Sequence, residues 1–254
     1  MAEFIKIEND GQVAKITLDR PKHNVLDIPM MNELNAELEK IAADESLKCV
    51  VLTGEGRSFC AGVEVGDHKP EQVDEMVAVF NRIFELINMI DIPVIAAVNG
   101  ACLGGGMEVA IACDIVLASE KAIFGQPEIK LGFFPPYAAI RLPELVGPAK
   151  AIEILTTGQN YSALDSKDLG FVSKVASVDD FEDVVQKQVK QITMASPLII
   201  RLNKRAVKRH IGTSFTQGVD LVSDYFLNTL MKTDDTLEGI ASFEEKRRPA
   251  WKNC

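Results

Sequence analysis

Residues 93–119 read PVIAAVNGACLGGGMEVAIACDIVLAS. PVIAAVNG (93–100) has the continuous apolar run of a buried strand, and Asn99-Gly100 stops it. Gly104-Gly105-Gly106 then leads into GMEVAIAC (106–113), which reads as a helix, and DIVLAS (114–119) is a second apolar strand. The same order occurs upstream. CVVLTG (49–54) is a short apolar strand ending in glycine. PEQVDEMVAVFNRIFELINMI (70–90) is a long amphipathic helix with Val73, Val77, Phe80, Phe84 and Ile87 on one stripe. Two strand–helix–strand rounds predict an α/β architecture.

The reading extends outward from this centre. Phe4, Ile5 and Ile7, then Val13, Ile16 and Leu18, flank Asn9-Asp10-Gly11, the pattern of a β-hairpin. Residues 29–43 place Met30, Leu34, Leu38 and Ile41 near helical spacing, with Pro29 suited to the first turn. Beyond residue 140 the pattern turns helical: 147–157, 162–168, 179–195, 197–210, 214–231 and 234–246. One strand candidate, FVSKVA (171–176), interrupts it, and Asp234 is the expected cap of the last helix. The predicted organisation is an α/β body over 1–195 and a helical C-terminal region over 196–254.

The chain has 254 residues, of which 47% are hydrophobic and 25% charged, enough for a core without disulfides or metal staples. Its net charge of −10 argues against a nucleic-acid partner, since phosphate contacts need a basic face. Five cysteines without a CxxC pair fit a reducing, cytoplasmic setting. The N-terminus lacks a signal-peptide pattern, and no stretch reaches 18 uninterrupted apolar residues, so no membrane span is expected.

Three segments use glycine or proline where the backbone must do something special. In Gly54–Glu64 a strand ends in a turn of small residues, which lets N–H groups approach a ligand. In Asn99–Glu108 the glycine triplet opens a helix whose first N–H groups are unpaired and suit an oxyanion. Its spacing is neither GxGxxG nor a P-loop. In Phe124–Tyr137, Glu128 lies among apolar and proline residues, where desolvation would raise its pKa as acid–base work requires. Each has a plainer alternative: an ordinary turn, Glu108 compensating the helix dipole, Glu128 on a surface loop. Together they suggest chemistry beside a carbonyl, with backbone donors holding an enolate and two carboxylates moving protons.

These residues identify a resemblance. LDRPKHNVLD, FCAGVE, AAVNGACLGGGMEVAIACD, FGQPEIKLG, ASPLIIRLNKRAV and EGIASFEEKRRPAWKN, spread over nearly the whole chain, resemble the crotonase (enoyl-CoA hydratase/isomerase) superfamily. The resemblance implies a crotonase-like spiral of ββα units with a helical C-terminal region, a homotrimer or dimer of trimers, and an acyl-CoA thioester substrate. No further cofactor and no metal are expected, coenzyme A being part of the substrate. It implies that the Val63 and Gly105 N–H groups form the oxyanion hole and that Glu108 and Glu128 are catalytic. Ala61, Gly62 and Gly104 flank those donors. Phe243 and Lys246 match a C-terminal region that packs on coenzyme A, often from a neighbouring subunit.

The chain also departs from the family pattern. A glycine N–H near the catalytic water is replaced by Pro136, which has none to give. A CoA-contacting lysine position is Gly66. GVEVGDHKPEQ, FGQPEIKLGFFPP and the Glu-Lys-Arg-Arg-Pro-Ala-Trp tail are similar to a narrower group, the cyclohexa-1,5-diene-1-carbonyl-CoA hydratases. That implies water addition to a conjugated cyclic dienoyl thioester through a dienolate. An ordinary 2-enoyl-CoA hydratase, a double-bond isomerase and a noncatalytic binding protein of the same fold are the competing readings. His68 points into the acyl pocket or toward CoA, or is a solvated helix-entry residue; Tyr137 caps the acyl pocket or packs in the core.

Overall fold

The first hairpin shows how local chemistry sets the frame. β1 (Ile5–Asn9) and β2 (Val13–Leu18) pair antiparallel. Asp10 Oδ1 accepts the N–H groups of Gln12 and Val13 at 2.9 and 2.8 Å, closing the turn as an Asx motif does. α1 (Ile28–Ala43) follows, capped by Asp27, with Met30, Leu34, Leu38 and Ile41 buried as predicted. These features come from a computed structural model, which describes residues 3–254.

The chain then spirals. Each round lays a long strand in one sheet, a short strand in a second sheet, and a helix outside. The first round is β3 (Cys49–Gly54), β4 (Ser58–Cys60) and α2 (Val73–Met89). The second is β5 (Val94–Val98), β6 (Ala101–Leu103) and α3 (Gly105–Ala112). The third is β7 (Ile115–Ser119), β8 (Ile123–Gly125) and α4 (Pro136–Val146). α5 (Pro148–Thr157), β9 (Asn160–Ser162), α6 (Ala163–Asp168), β10 (Lys174–Ala176) and α7 (Phe181–Thr193) complete the body. The sheets run β1-β2-β3-β5-β7-β10 and β4-β6-β8-β9. All pairings are parallel except β1–β2 and β8–β9.

The long strands are apolar throughout because both faces are covered. Val50 and Leu52 of β3 enter the main core with α1 and α2. Cys49 and Val51 point the other way, into a second cluster with Ile95, Ala97, Leu117 and Val185 and Val189 of α7.

Several expectations are corrected. The short strands β4, β6, β8 and β9 are not anticipated as strands, because three residues are too few to show alternation. The buried stripe of α2 is Met76, Phe80, Ile83, Phe84, Leu86 and Ile87. Val73 and Val77 instead line a cavity. A helix over 136–146 was unanticipated, and FVSKVA is a strand only over 174–176.

α8 (Pro197–Arg209), α9 (Phe215–Asn228) and α10 (Asp234–Glu244) form the C-terminal region. Buried Lys204 ties α8 to the body through Asp114 Oδ2 at 2.5 Å and the Ile92 carbonyl at 2.8 Å. Thr233, not Asp234, caps α10 by accepting the Thr236 N–H. Asp235 is buried instead and accepts from the Ser196 hydroxyl and the Lys252 and Asn253 N–H groups, strapping the tail to the start of α8. Among the described residues no helix is long and apolar enough to cross a membrane.

Candidate active site

Two turns at the end of the small sheet build one half of the site. After β4, the Leu26 N–H donates to Gly62 O and the Glu64 N–H donates to Leu26 O, at 2.9 and 2.8 Å. These bonds pin the turn on both sides of Val63 and leave the Val63 N–H without an acceptor among the described residues. Gly62 has φ +126°, a conformation that requires glycine. After β6, Gly105 is the first residue of α3, where a helix cannot pair its own N–H. A Cβ on Gly105 would stand 2.6 Å from Val63 Cγ2, 2.9 Å from Phe80 Cζ and 3.5 Å from Val63 N. The two turns therefore touch, and only glycine allows it. Two free N–H groups meet there.

The carboxylates form the other half. Glu108, in the first turn of α3, is 2% exposed, and its Oε1 accepts the Ala138 N–H from the first turn of α4 at 2.8 Å. Burial pushes its pKa up to about 7, the nearby Glu128 charge adds to this, and the Ala138 N–H opposes it. Glu128 sits in a 3-10 turn over Pro127–Leu131. Burial also raises it to about 7. Its Oε1 lies over the glycine triplet, 2.5 Å from where a Cβ on Gly104 would stand. The side-chain amide of fully buried Gln126 lies 3.1 and 3.2 Å from the two Glu128 oxygens and, with its NH2 turned that way, donates to both.

A cavity of about 380 Å3 brings together Ala61, Gly62, Val63, His68, Gly104, Gly105, Glu108, Glu128 and Pro136 of the predicted residues. His68 lies in its wall, in a 3-10 turn over Val65–His68, rather than as a purely solvated entry residue. Tyr137 is outside the wall: its ring stacks on Phe84 with centroids 3.9 Å apart, which corrects the expectation of a pocket cap. Phe243 and Lys246 also lie outside it, Phe243 85% exposed at the end of α10. Gly66 lines neither turn, and a Cβ there would reach only the Glu64 side chain.

The sequence reading missed Gln126, Phe133, Phe134 and the Ala138 N–H. Pro135-Pro136 was the available signal for the last, since proline favours the first turn of a helix and so announces free donors just beyond it. Pro136 stands at the first position of α4, and the N–H that reaches the site from this helix goes to Glu108.

Chemically, two convergent N–H groups can hold a developing oxyanion. Two carboxyls raised toward neutrality by burial can exchange protons there, one as base and the other as acid. That suits proton transfer around a double bond conjugated to a thioester.

Residues 8–254 match the sequence profile of the enoyl-CoA hydratase/isomerase family. The chain belongs to that family. It is 35% identical over 246 residues to a putative enoyl-CoA hydratase/isomerase of Bacillus subtilis, covering 94% of each chain. It is 32% identical over 247 residues to a cyclohexa-1,5-dienecarbonyl-CoA hydratase of Thauera aromatica, covering 97% of this chain and 95% of the other. The crystal structure of an enoyl-CoA hydratase from Mycobacterium smegmatis superimposes with a TM-score of 0.93 at 29% identity, over 98% of this chain and 99% of that one. The crotonase fold predicted from the sequence is thus the observed one, and the chain is an enzyme of the hydro-lyase type.

Proposed function

We propose that this enzyme adds water to cyclohexa-1,5-diene-1-carbonyl-CoA, giving 6-hydroxycyclohex-1-ene-1-carbonyl-CoA. The observation that carries the reading is the Phe133-Phe134-Pro135-Pro136 wall of the cavity, which lines the same space as Glu108 and Glu128. Overall identity does not choose the acyl group, because the Bacillus subtilis relative is at least as similar as the Thauera aromatica one. The wall supports a ring: it sets aromatic surface beside the acid–base pair and offers no N–H at Pro136.

The mechanism follows from the site. The thioester oxygen lies between the Val63 and Gly105 N–H groups. The ionised member of the Glu108/Glu128 pair takes a proton from water as its oxygen bonds to the ring carbon β to the thioester. The electrons of that double bond move into a dienolate, whose charge the two N–H groups hold. The protonated member delivers its proton to the far end of the dienolate, which leaves the 1-ene. Proton exchange between the carboxyls restores the pair. Ala61, Gly62 and Gly104 shape the donors, and no cofactor beyond the substrate's own coenzyme A is needed.

In the same reading, residues 1–195 carry the chemistry and 196–254 assemble the protein as a trimer or dimer of trimers. The exposed Phe215, Phe226, Leu227 and Phe243 support this. Phe243 and Lys246 then cover coenzyme A from a neighbouring subunit. Four buried free thiols support a reducing cytoplasmic location.

The test incubates the purified enzyme with the diene thioester and, separately, with crotonyl-CoA, following products by liquid chromatography. Fast conversion of the diene with slow crotonyl hydration is expected. The reverse result makes this an ordinary 2-enoyl-CoA hydratase and removes the ring from the proposal.

A further inference from the structure

Two rings from separate elements meet in the wall of the cavity. His68 ends the 3-10 turn over Val65–His68, and Phe133 follows the turn that carries Glu128. Their centroids are 5.0 Å apart and their planes 28° from parallel. Both line the cavity.

Each ring is held from its own side. His68 Nδ1 is 3.0 Å from the Glu64 carbonyl oxygen. A carbonyl only accepts, so Nδ1 carries the proton, and the ring is kept from turning. Phe133 donates its backbone N–H to Glu128 O at 3.0 Å, which ties it to the residue of a catalytic carboxyl. Pro135 and Pro136 stiffen the chain just beyond it. Even so, Phe133 keeps 38% of its surface exposed. A large apolar ring is thus fixed in position yet left partly uncovered. The cost of ordering such a surface has been met before any ligand arrives.

We propose that His68 and Phe133 form the specificity wall of the acyl pocket, selecting a planar unsaturated ring over a short linear acyl chain. Flat π-faces gain from offset stacking at 4.5–7 Å beyond the area they bury. A linear chain gains the area alone. The proposal rests on the hydration reading above only for the identity of the natural ring; the preference for a ring can be measured without turnover.

The test titrates the enzyme calorimetrically with benzoyl-CoA, an unreactive planar ring thioester, and with butyryl-CoA. The wild-type enzyme should bind benzoyl-CoA more tightly. His68→Ala and Phe133→Ala should each lose about three- to tenfold on benzoyl-CoA, and much less on butyryl-CoA, as loss of one stacking partner predicts. His68→Phe restores a flat ring and should recover most of the loss, and butyryl-CoA binding reports that each variant is folded. Equal losses on both esters, no loss on either, or no wild-type preference for benzoyl-CoA overturns the wall. Diene hydration is scored separately. No hydration, with a benzoyl preference that depends on both rings, removes the proposed substrate and keeps the wall. Hydration with an unmoved preference removes the wall and keeps the substrate.

Discussion

Two pairs of acidic residues in this chain are handled in opposite ways. Glu108 and Glu128 lie beside the cavity with no cation within ion-pair reach among the described residues, and both are raised to about 7. Asp235 and Glu238, one turn apart on α10, are surrounded by donors. Asp235 takes the Ser196 hydroxyl and two tail N–H groups. Glu238 takes both arms of Arg247, at 2.5 and 2.9 Å, and the Ala250 N–H at 2.7 Å. Those bonds, the Arg247 side chain first, hold its carboxyl down at about 2. The number of donors decides the role. A carboxylate that accepts three hydrogen bonds, a guanidinium among the donors in one case, is a clasp, while one buried in an apolar site with no cation beside it has its pKa raised toward neutrality.

The strongest way to break this contrast is to neutralise the cavity pair. Glu108→Gln and Glu128→Gln should each lower kcat by about 10²–10⁴, the usual contribution of a positioned acid or base. Binding of the CoA ester should be largely kept, since in the proposed mechanism backbone groups hold the thioester. Near-wild-type turnover in either variant would remove that residue from the mechanism.

The clasp should fail in stability instead. Asp235→Ala leaves the Ser196 hydroxyl and the Lys252 and Asn253 N–H groups without their acceptor. At about 1–3 kcal/mol for the buried Ser196 donor, and less for the two N–H groups on the exposed tail, the loss should be roughly 2–4 kcal/mol in denaturant unfolding. A loss below about 1 kcal/mol would mean that the tail is held by other contacts, Trp251 Nε1 to Met194 O among them.

The same contrast explains how much of the molecule is legible in its sequence. The body was readable because its signals are local and redundant: continuous apolar strands, helical stripes, and glycines at tight approaches. Glu108 and Glu128 were findable because each lies inside a motif whose neighbours are unusual. The C-terminal clasp was not. Asp235 pairs with Ser196, 39 residues earlier, and with a tail 17 and 18 residues later, and nothing in the local pattern separates it from Asp234. Asp234 looked like the cap, yet the hydroxyl of Thr233 does that work. Phe133, and its stacking with the candidate residue His68, escape for a similar reason. Their stacking depends on how two 3-10 turns are brought together, which periodicity does not encode.

The finest distinction between the two pairs is the sign of their pH dependence. Glu108 has its folded pKa raised from 4.5 to about 7. Its folded state therefore favours the proton, so the stability it contributes is full below about pH 4.5 and is lost as pH rises through 7. Glu108→Gln should match the wild type near pH 4.5 and become the more stable protein by pH 8, by up to ~3 kcal/mol for a shift of this size. Glu238 is shifted the other way, from 4.5 to about 2. Its contribution is present above about pH 4.5 and lost as pH falls toward 2, and because it lies near solvent the effect should be the smaller one. Glu238→Gln should be less stable than the wild type at pH 5, with the gap closing in acid. Thermal midpoints of the three proteins across pH 3–8 would show one gap opening with alkali and the other closing with acid. Two gaps that move in the same direction would mean that donor count does not separate the cavity pair from the clasp.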